Sequence, residues 1–168
     1  MLRRLFRRRP CLLFVCTANL CRSPMAEALC RAMIEDRDWE VISAGFFVDR
    51  PTPPHEGAVI TLAKHRIATE GLESTRLTPK LLRRATHIFT MTETHLVSLR
   101  KQQPKSLKRS HLITAFSTSP KHRNQDLSDP IDGGEEAFSK TYSSLCDAMP
   151  GIIRFVQDGS TELVSEQL

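Results

Sequence analysis

The chain has 168 residues, 40% apolar and 26% charged, a balance that suits one globular domain able to hold a core without disulfides or metal. No apolar run approaches the roughly 20 residues of a membrane span, so an integral membrane protein is not expected. The formal charge of +5 suggests nucleic acid only until it is divided along the chain: residues 1–10 hold five arginines and no acid, 11–93 balance, 94–125 hold seven basic residues and no acid, and 126–168 hold nine acidic residues against two basic.

The leading decapeptide reads as a disordered basic extension, with a domain over residues 11–157 and a flexible tail over 158–168. Leu12-Leu13-Phe14-Val15 is a short, continuously apolar run, the pattern of a strand buried on both faces. Ser23-Pro24 follows as an N-cap type and a first-turn proline, and Met25, Leu29 and Met33 continue an apolar stripe to about Asp36. Glu40–Ala44 predicts a second strand stopped by Gly45, and the segment from Pro54 to about His65 a second helix. Thr78-Pro79 opens a short helix through Arg84; His87–Met91 is a third strand, and a helix covers about Glu93 to Lys101. His111–Phe116 reads as a fourth, weaker strand. The last helix starts near Gly134, carries Phe138, Tyr142, Leu145 and Met149, and is expected to break or kink at Pro150-Gly151. Alternating strands and helices predict an α/β fold with three layers: a four-stranded parallel sheet with helices on both faces.

Five cysteines without a CxxC pair or a secretory signal point to reduced thiols in the cytoplasm. The six histidines show no metal-ligand spacing, so neither a metal nor a cofactor is expected. The basic run Arg100, Lys101, Lys105, Lys108, Arg109 lacks an aromatic for base stacking, which argues against nucleic acid.

Between the first strand and first helix lies Cys16-Thr17-Ala18-Asn19-Leu20-Cys21-Arg22-Ser23. Ligands of open parallel sheets bind at the carboxyl ends of the strands, where loop amides and a helix start attract anions. Arg22 offers a planar fork for two phosphate oxygens, and such a field favours a thiolate nucleophile. Ser23 is suited to stabilise that thiolate as it leaves a phospho-cysteine, and Asn19 to pin the loop through its amide. Far along the chain, Asp129, ahead of Pro130, is chosen over Asp126 and Asp132 as the carboxyl that protonates a departing oxygen.

The run from Val15 to Glu27 resembles the signature of the low-molecular-weight protein tyrosine phosphatases, in the bacterial type related to protein-arginine phosphatases. Ser43-Ala44-Gly45, Thr90-Met91-Thr92 and Asp129-Pro130 share the likeness, which runs from about residue 12 to 157. The resemblance implies Cys16 as nucleophile, Arg22 as phosphate and transition-state clamp, and Asp129 as general acid. It also implies substrate contacts from Thr17, Ala18, Asn19, Leu20, Cys21 and Ser23, and Cys21 as a redox partner able to form a reversible protective disulfide with Cys16.

Three positions depart from the family pattern: Ala18 stands for a glycine, Ile131 for an aromatic wall with Phe46-Phe47 as its substitute, and Leu20 occupies the position that separates tyrosine-directed from arginine-directed branches. Leu20 leans toward phosphotyrosine. The expected function is therefore hydrolysis of protein phosphotyrosine through a phospho-cysteine, with phosphoarginine hydrolysis or a catalytically weakened phosphoprotein-binding module as alternatives. An arsenate reductase on the same fold is disfavoured, because residues 31–145 contain no cysteine for an electron relay. The expected partner is a phosphorylated protein; the oligomeric state is left open.

Overall fold

The computed structural model describes residues 9–34, 37–161 and 163. Most of the expected basic extension, the end of the first helix near Asp36 and most of the expected C-terminal tail lie outside the described residues. Four strands, β1 (Cys11–Cys16), β2 (Glu40–Gly45), β3 (His87–Thr90) and β4 (Ser110–Leu112), form one sheet in the order β2-β1-β3-β4, every pairing parallel. Five helices, α1 (Arg22–Met33), α2 (Glu56–Lys64), α3 (Pro79–Arg84), α4 (Glu93–Gln102) and α5 (Gly134–Gln157), cover its two faces.

β1 is buried along its whole length, so its side chains alternate between two cores. Leu12 and Phe14 join Met25, Leu62, Phe89, Phe138 and Ile152 beneath α1, α2 and α5. Leu13 and Val15 join Leu82, Ala85, Ile88 and Leu99 beneath α3 and α4. These two apolar layers fix the register of β1, because a one-residue slip would exchange its faces. The chain order reverses around β1, with β2 on one side and β3 on the other, so the loop after β1 lies at the switch point of the sheet.

Two expectations need correction, and of a third, a break or a kink at Pro150-Gly151, the break does not occur. Ser23 does not cap α1: the helix begins at Arg22, its N-cap is Cys21 without a side-chain bond, and the Ser23 hydroxyl is spent on Cys16 and Asn19. Only Ser110–Leu112 pairs as β4, and Ile113–Phe116 winds into a single stretch of 3-10 helix. That stretch is as apolar as a strand, but its Thr114 hydroxyl bonds to the Gln125 carbonyl at 2.5 Å, holding the turn in place of a ladder. Pro150 does not end α5, which continues to Gln157. Buried Met149, Ile152, Ile153 and Val156 keep the helix packed on both sides of the proline. Gly151 lets it approach the 3-10 turn, where a Cβ would stand 2.5 Å from the Phe116 carbonyl oxygen.

Candidate active site

The loop from Thr17 to Cys21 turns from the buried end of β1 into α1, and Asn19 makes the turn possible with a left-handed φ of 56°. Asparagine tolerates this region better than most side chains. Ala18 needs no such freedom: Asn19, Arg66 and Asn124 are the non-glycine residues with positive φ among those described. The backbone at Ala18 therefore lies outside the region that demands glycine, and its methyl carries no strain of that kind.

Asn19 also ties the loop down. Its side-chain amide donates to Ser23 Oγ and Ser43 Oγ, both at 2.8 Å, and its carbonyl oxygen accepts from Thr75 N at 2.8 Å. Ser43 Oγ passes the chain on to the buried Glu27 carboxylate at 2.5 Å, and Arg31 pairs with Glu27 from the next turn of α1. Burial raises the Glu27 pKa, opposed by the Ser43 hydrogen bond and then by Arg31.

The loop carbonyls face outward. Those of Cys16, Thr17 and Leu20 accept from Phe46 N, Phe47 N and His55 N at 3.2, 2.9 and 2.8 Å. The amides of Ala18, Leu20 and Cys21 find no acceptor among the described residues, which leaves a set of unspent N–H donors beside the start of a twelve-residue helix. Gly45 makes this packing possible: a Cβ there would lie 2.8 Å from Thr17 O, Ala18 C and Asn19 N.

Cys16 sits at the base of the cradle. Its Sγ is 2.9 Å from Ser23 Oγ and accepts from Asn19 N at 3.2 Å. Cys21 is also buried, and burial, with Asp129 and Cys16 adding to it, pushes its thiol up to about 12. It therefore stays protonated at neutral pH, unlike a nucleophile prepared for attack. The five cysteines, all among the described residues, are free thiols.

Arg22 is 5% exposed, and its guanidinium reaches across the site. Nη1 donates to the Leu127 carbonyl at 3.0 Å and Nη2 to Asp129 Oδ2 at 2.5 Å. A cation at a helix N-terminus is unfavourable unless an anion accompanies it, and here the Asp129 carboxylate fills that role. Asp129 arrives on a segment anchored by Leu127 N to Met91 O at 2.9 Å and by Glu93 N to Asp126 Oδ1 at 2.7 Å. Its second oxygen accepts from Ile131 N at 3.3 Å. The structure therefore brings together Cys16, Arg22, Asp129, Asn19 and Ser23.

The remaining site positions are arranged around them. Leu20, Ala18 and Phe47 line a pocket of about 210 Å³, with Phe47 77% exposed. Phe46 does not share it; its ring stacks on His95, centroids 5.7 Å apart. Ile131 faces a neighbouring crevice with His55, Ile60 and Phe138. Thr17 Oγ1 meets His95 Nε2 at 2.9 Å. Sequence reasoning passed over His95 and Thr75, which lie far from the loop in the chain, and read Gly45 only as a strand stop. Glu27 and Ser43 fell inside the resembling segments without a role.

The sequence matches the family of low molecular weight phosphotyrosine protein phosphatases over residues 11–162. It is 35% identical over 137 residues to low molecular weight phosphotyrosine protein phosphatase 2 of Drosophila melanogaster, covering 77% of this chain and 82% of the relative. Against the protein-arginine-phosphatase of Bacillus subtilis (strain 168) the figures are 30% over 136 residues, 80% and 88%. The low molecular weight protein tyrosine phosphatase of T. tengcongensis superposes with a TM-score of 0.79 at 31% identity, over 86% of this chain and 98% of that one. The YwlE arginine phosphatase of Geobacillus stearothermophilus gives 0.79 at 27%, over 88% and 93%. Because the match spans the sheet, the loop after β1 and the aspartate segment together, the chain belongs to the low molecular weight phosphotyrosine protein phosphatase family, a family of cysteine-dependent phosphatases.

Proposed function

We propose that the chain hydrolyses phosphotyrosine in proteins, with Cys16 as nucleophile, Arg22 as oxyanion clamp and Asp129 as general acid. The observation that carries this reading is the pairing of a buried Arg22 with a carboxylate directly across the loop that holds Cys16. The guanidinium already binds one carboxylate oxygen through Nη2, and its planar fork can hold two oxygens of a tetrahedral phosphate.

In the first step the Cys16 thiolate attacks phosphorus, the bond to the ester oxygen breaks, and Asp129, carrying a proton once the phosphate has taken its place on Arg22, gives that proton to the oxygen. In the second, Asp129 takes a proton from water, the water oxygen bonds to phosphorus, and the thiolate leaves with the Ser23 hydroxyl beside it. The free amides of Ala18, Leu20 and Cys21, together with Arg22, hold the equatorial oxygens as charge develops. Asn19 and its partners keep those amides aimed.

Both phosphotyrosine and phosphoarginine phosphatases stand among the relatives. The exposed Phe47 ring, with Leu20 and Ala18 beside it, supports the first by offering a stacking face to an aryl ring, at the rim of a pocket whose other lining includes Asp49, Arg50, Thr52 and Ser74. The five free thiols fit a reducing, cytoplasmic setting, and no helix among the described residues is long and apolar enough to cross a membrane. The deciding experiment compares kcat/KM on matched phosphotyrosine and phosphoarginine peptides, with Cys16→Ser as control. A preference for phosphotyrosine that vanishes in Cys16→Ser is expected. A preference for phosphoarginine overturns the substrate assignment, and turnover by Cys16→Ser overturns the mechanism.

A further inference from the structure

His95 stands at the third position of α4, held there by the cap from Thr92 Oγ1 to its own amide at 3.2 Å. Its side chain is nine-tenths buried and reaches back to the loop after β1, placing Nε2 2.9 Å from Thr17 Oγ1. Phe46, whose amide bonds the Cys16 carbonyl, lies flat against the other part of the ring. Nδ1 is buried and has no partner among the described residues.

This is a costly way to fill space. A buried polar atom without a partner costs about 1–3 kcal/mol, and an apolar side chain of similar size would avoid it. What the imidazole supplies that an apolar ring cannot is the bond to Thr17, the residue next to Cys16. We infer that His95 is a positioning residue: its hydrogen bond to Thr17 fixes the direction of the loop amides that must meet the phosphoryl oxygens in the transition state. The inference rests on the phosphatase reading above.

The charge state of the ring fits this use. His95 faces Thr17 from the loop, Arg22 from α1, and Asp126 and Asp129 from the segment before α5. Burial first, then Arg22, lowers its pKa to about 4, while the two aspartates pull the other way. The ring is therefore neutral where the enzyme would work, and adds no second cation to compete with Arg22 for the phosphate.

A residue that aims groups at the transition state, without touching substrate, affects kcat more than KM. A small misplacement of such groups can cost up to about a hundredfold. The test compares His95→Ala, His95→Gln and Thr17→Val with the wild type, using an aryl phosphate for turnover and inorganic phosphate as competitive inhibitor. Gln can place its amide near the Nε2 position. Expected is a kcat about tenfold lower in His95→Ala and Thr17→Val, with KM and the phosphate inhibition constant within about twofold. His95→Gln should recover most of the loss, and the His95→Ala/Thr17→Val double variant should be no worse than either single one. Unchanged kcat in both His95→Ala and Thr17→Val would overturn the inference. So would a His95→Gln enzyme as slow as His95→Ala, or fully additive losses, since either means simple packing. Should His95→Ala fail to fold, His95→Gln and Thr17→Val still decide. Absence of wild-type turnover would count against the phosphatase reading instead.

Discussion

The contact between Arg22 and Asp129 makes one variant informative in two opposite directions. The Asp129 carboxylate holds Arg22 Nη2 at 2.5 Å, with side-chain exposures of 6% for the arginine and 43% for the aspartate. A fully desolvated charged hydrogen bond contributes about 1.5–3 kcal/mol, and an exposed ion pair about 0.2–1. A pair with one partner buried and the other half in water falls near 1 kcal/mol, which corresponds to about fivefold in a binding constant. An incoming phosphate competes with this carboxylate for the guanidinium and then sits beside it. Asp129→Asn removes both the competition and the repulsion, so inorganic phosphate should bind about fivefold more tightly. The same change removes the proton donor, so kcat on an aryl phosphate with a poor leaving group should fall by about 10²–10⁴-fold. With a leaving group that needs no protonation, the loss in the first step should shrink. Competitive inhibition by phosphate and steady-state turnover on the two substrates measure all three quantities. Phosphate affinity that is unchanged or weaker in Asp129→Asn would refute the assignment of Asp129 as the resting partner of Arg22, and undiminished kcat would refute its role as acid.

Three further outcomes follow from the same geometry. Asn19→Ala deletes two buried hydrogen bonds and one part-buried one, so denaturant titration should show a loss of about 2–3 kcal/mol, accompanied by a fall in kcat/KM. Gly45→Ala drives a methyl group to 2.8 Å from three loop atoms, so kcat should drop about tenfold or more while the sheet's circular dichroism is kept. For His95, a folded pKa of about 4 against 6.5 in the unfolded chain means that the unfolded state binds the extra proton between these values. Its contribution to stability is complete above pH 6.5 and is lost as pH falls toward 4, by up to about 3 kcal/mol, and urea titrations of His95→Gln should lack that part of the loss.

Much of the fold was legible because burial writes itself into β1 and α1. Leu12–Val15 is apolar at every position, as a strand covered on both faces requires. The motif from Cys16 to Ser23 was equally readable, since its cysteine, arginine and serine all belong to one local turn. Ser23 shows where local reading fails: a serine before a proline has the composition of a cap, but its hydroxyl is worth more to Cys16 and Asn19 than to a helix end. Ile113–Phe116 failed for a different reason. Ile113, Ala115 and Phe116 around one threonine carry no period that separates a strand from a tight turn, and the partner that settles the matter, the Gln125 carbonyl bonded by Thr114, lies outside the segment. Pro150 was read by its own backbone chemistry alone, whereas the packing of Ile152, Ile153 and Val156 keeps α5 intact beyond it. His95 was invisible because its partner, Thr17, lies 78 residues away. Thr92, three residues before it, caps the helix that carries it.

The central claim is that Cys16 itself carries the phosphoryl group between substrate and water. Rapid denaturing quench of the wild-type enzyme during turnover of an aryl phosphate, followed by peptide mass mapping, tests it directly. The phosphoryl group should be found on the peptide containing Cys16, should accumulate in Asp129→Ala wherever the second step is slowed more than the first, and should leave no turnover in Cys16→Ser. A phosphoryl group on any other residue, or full turnover without Cys16, would contradict the account.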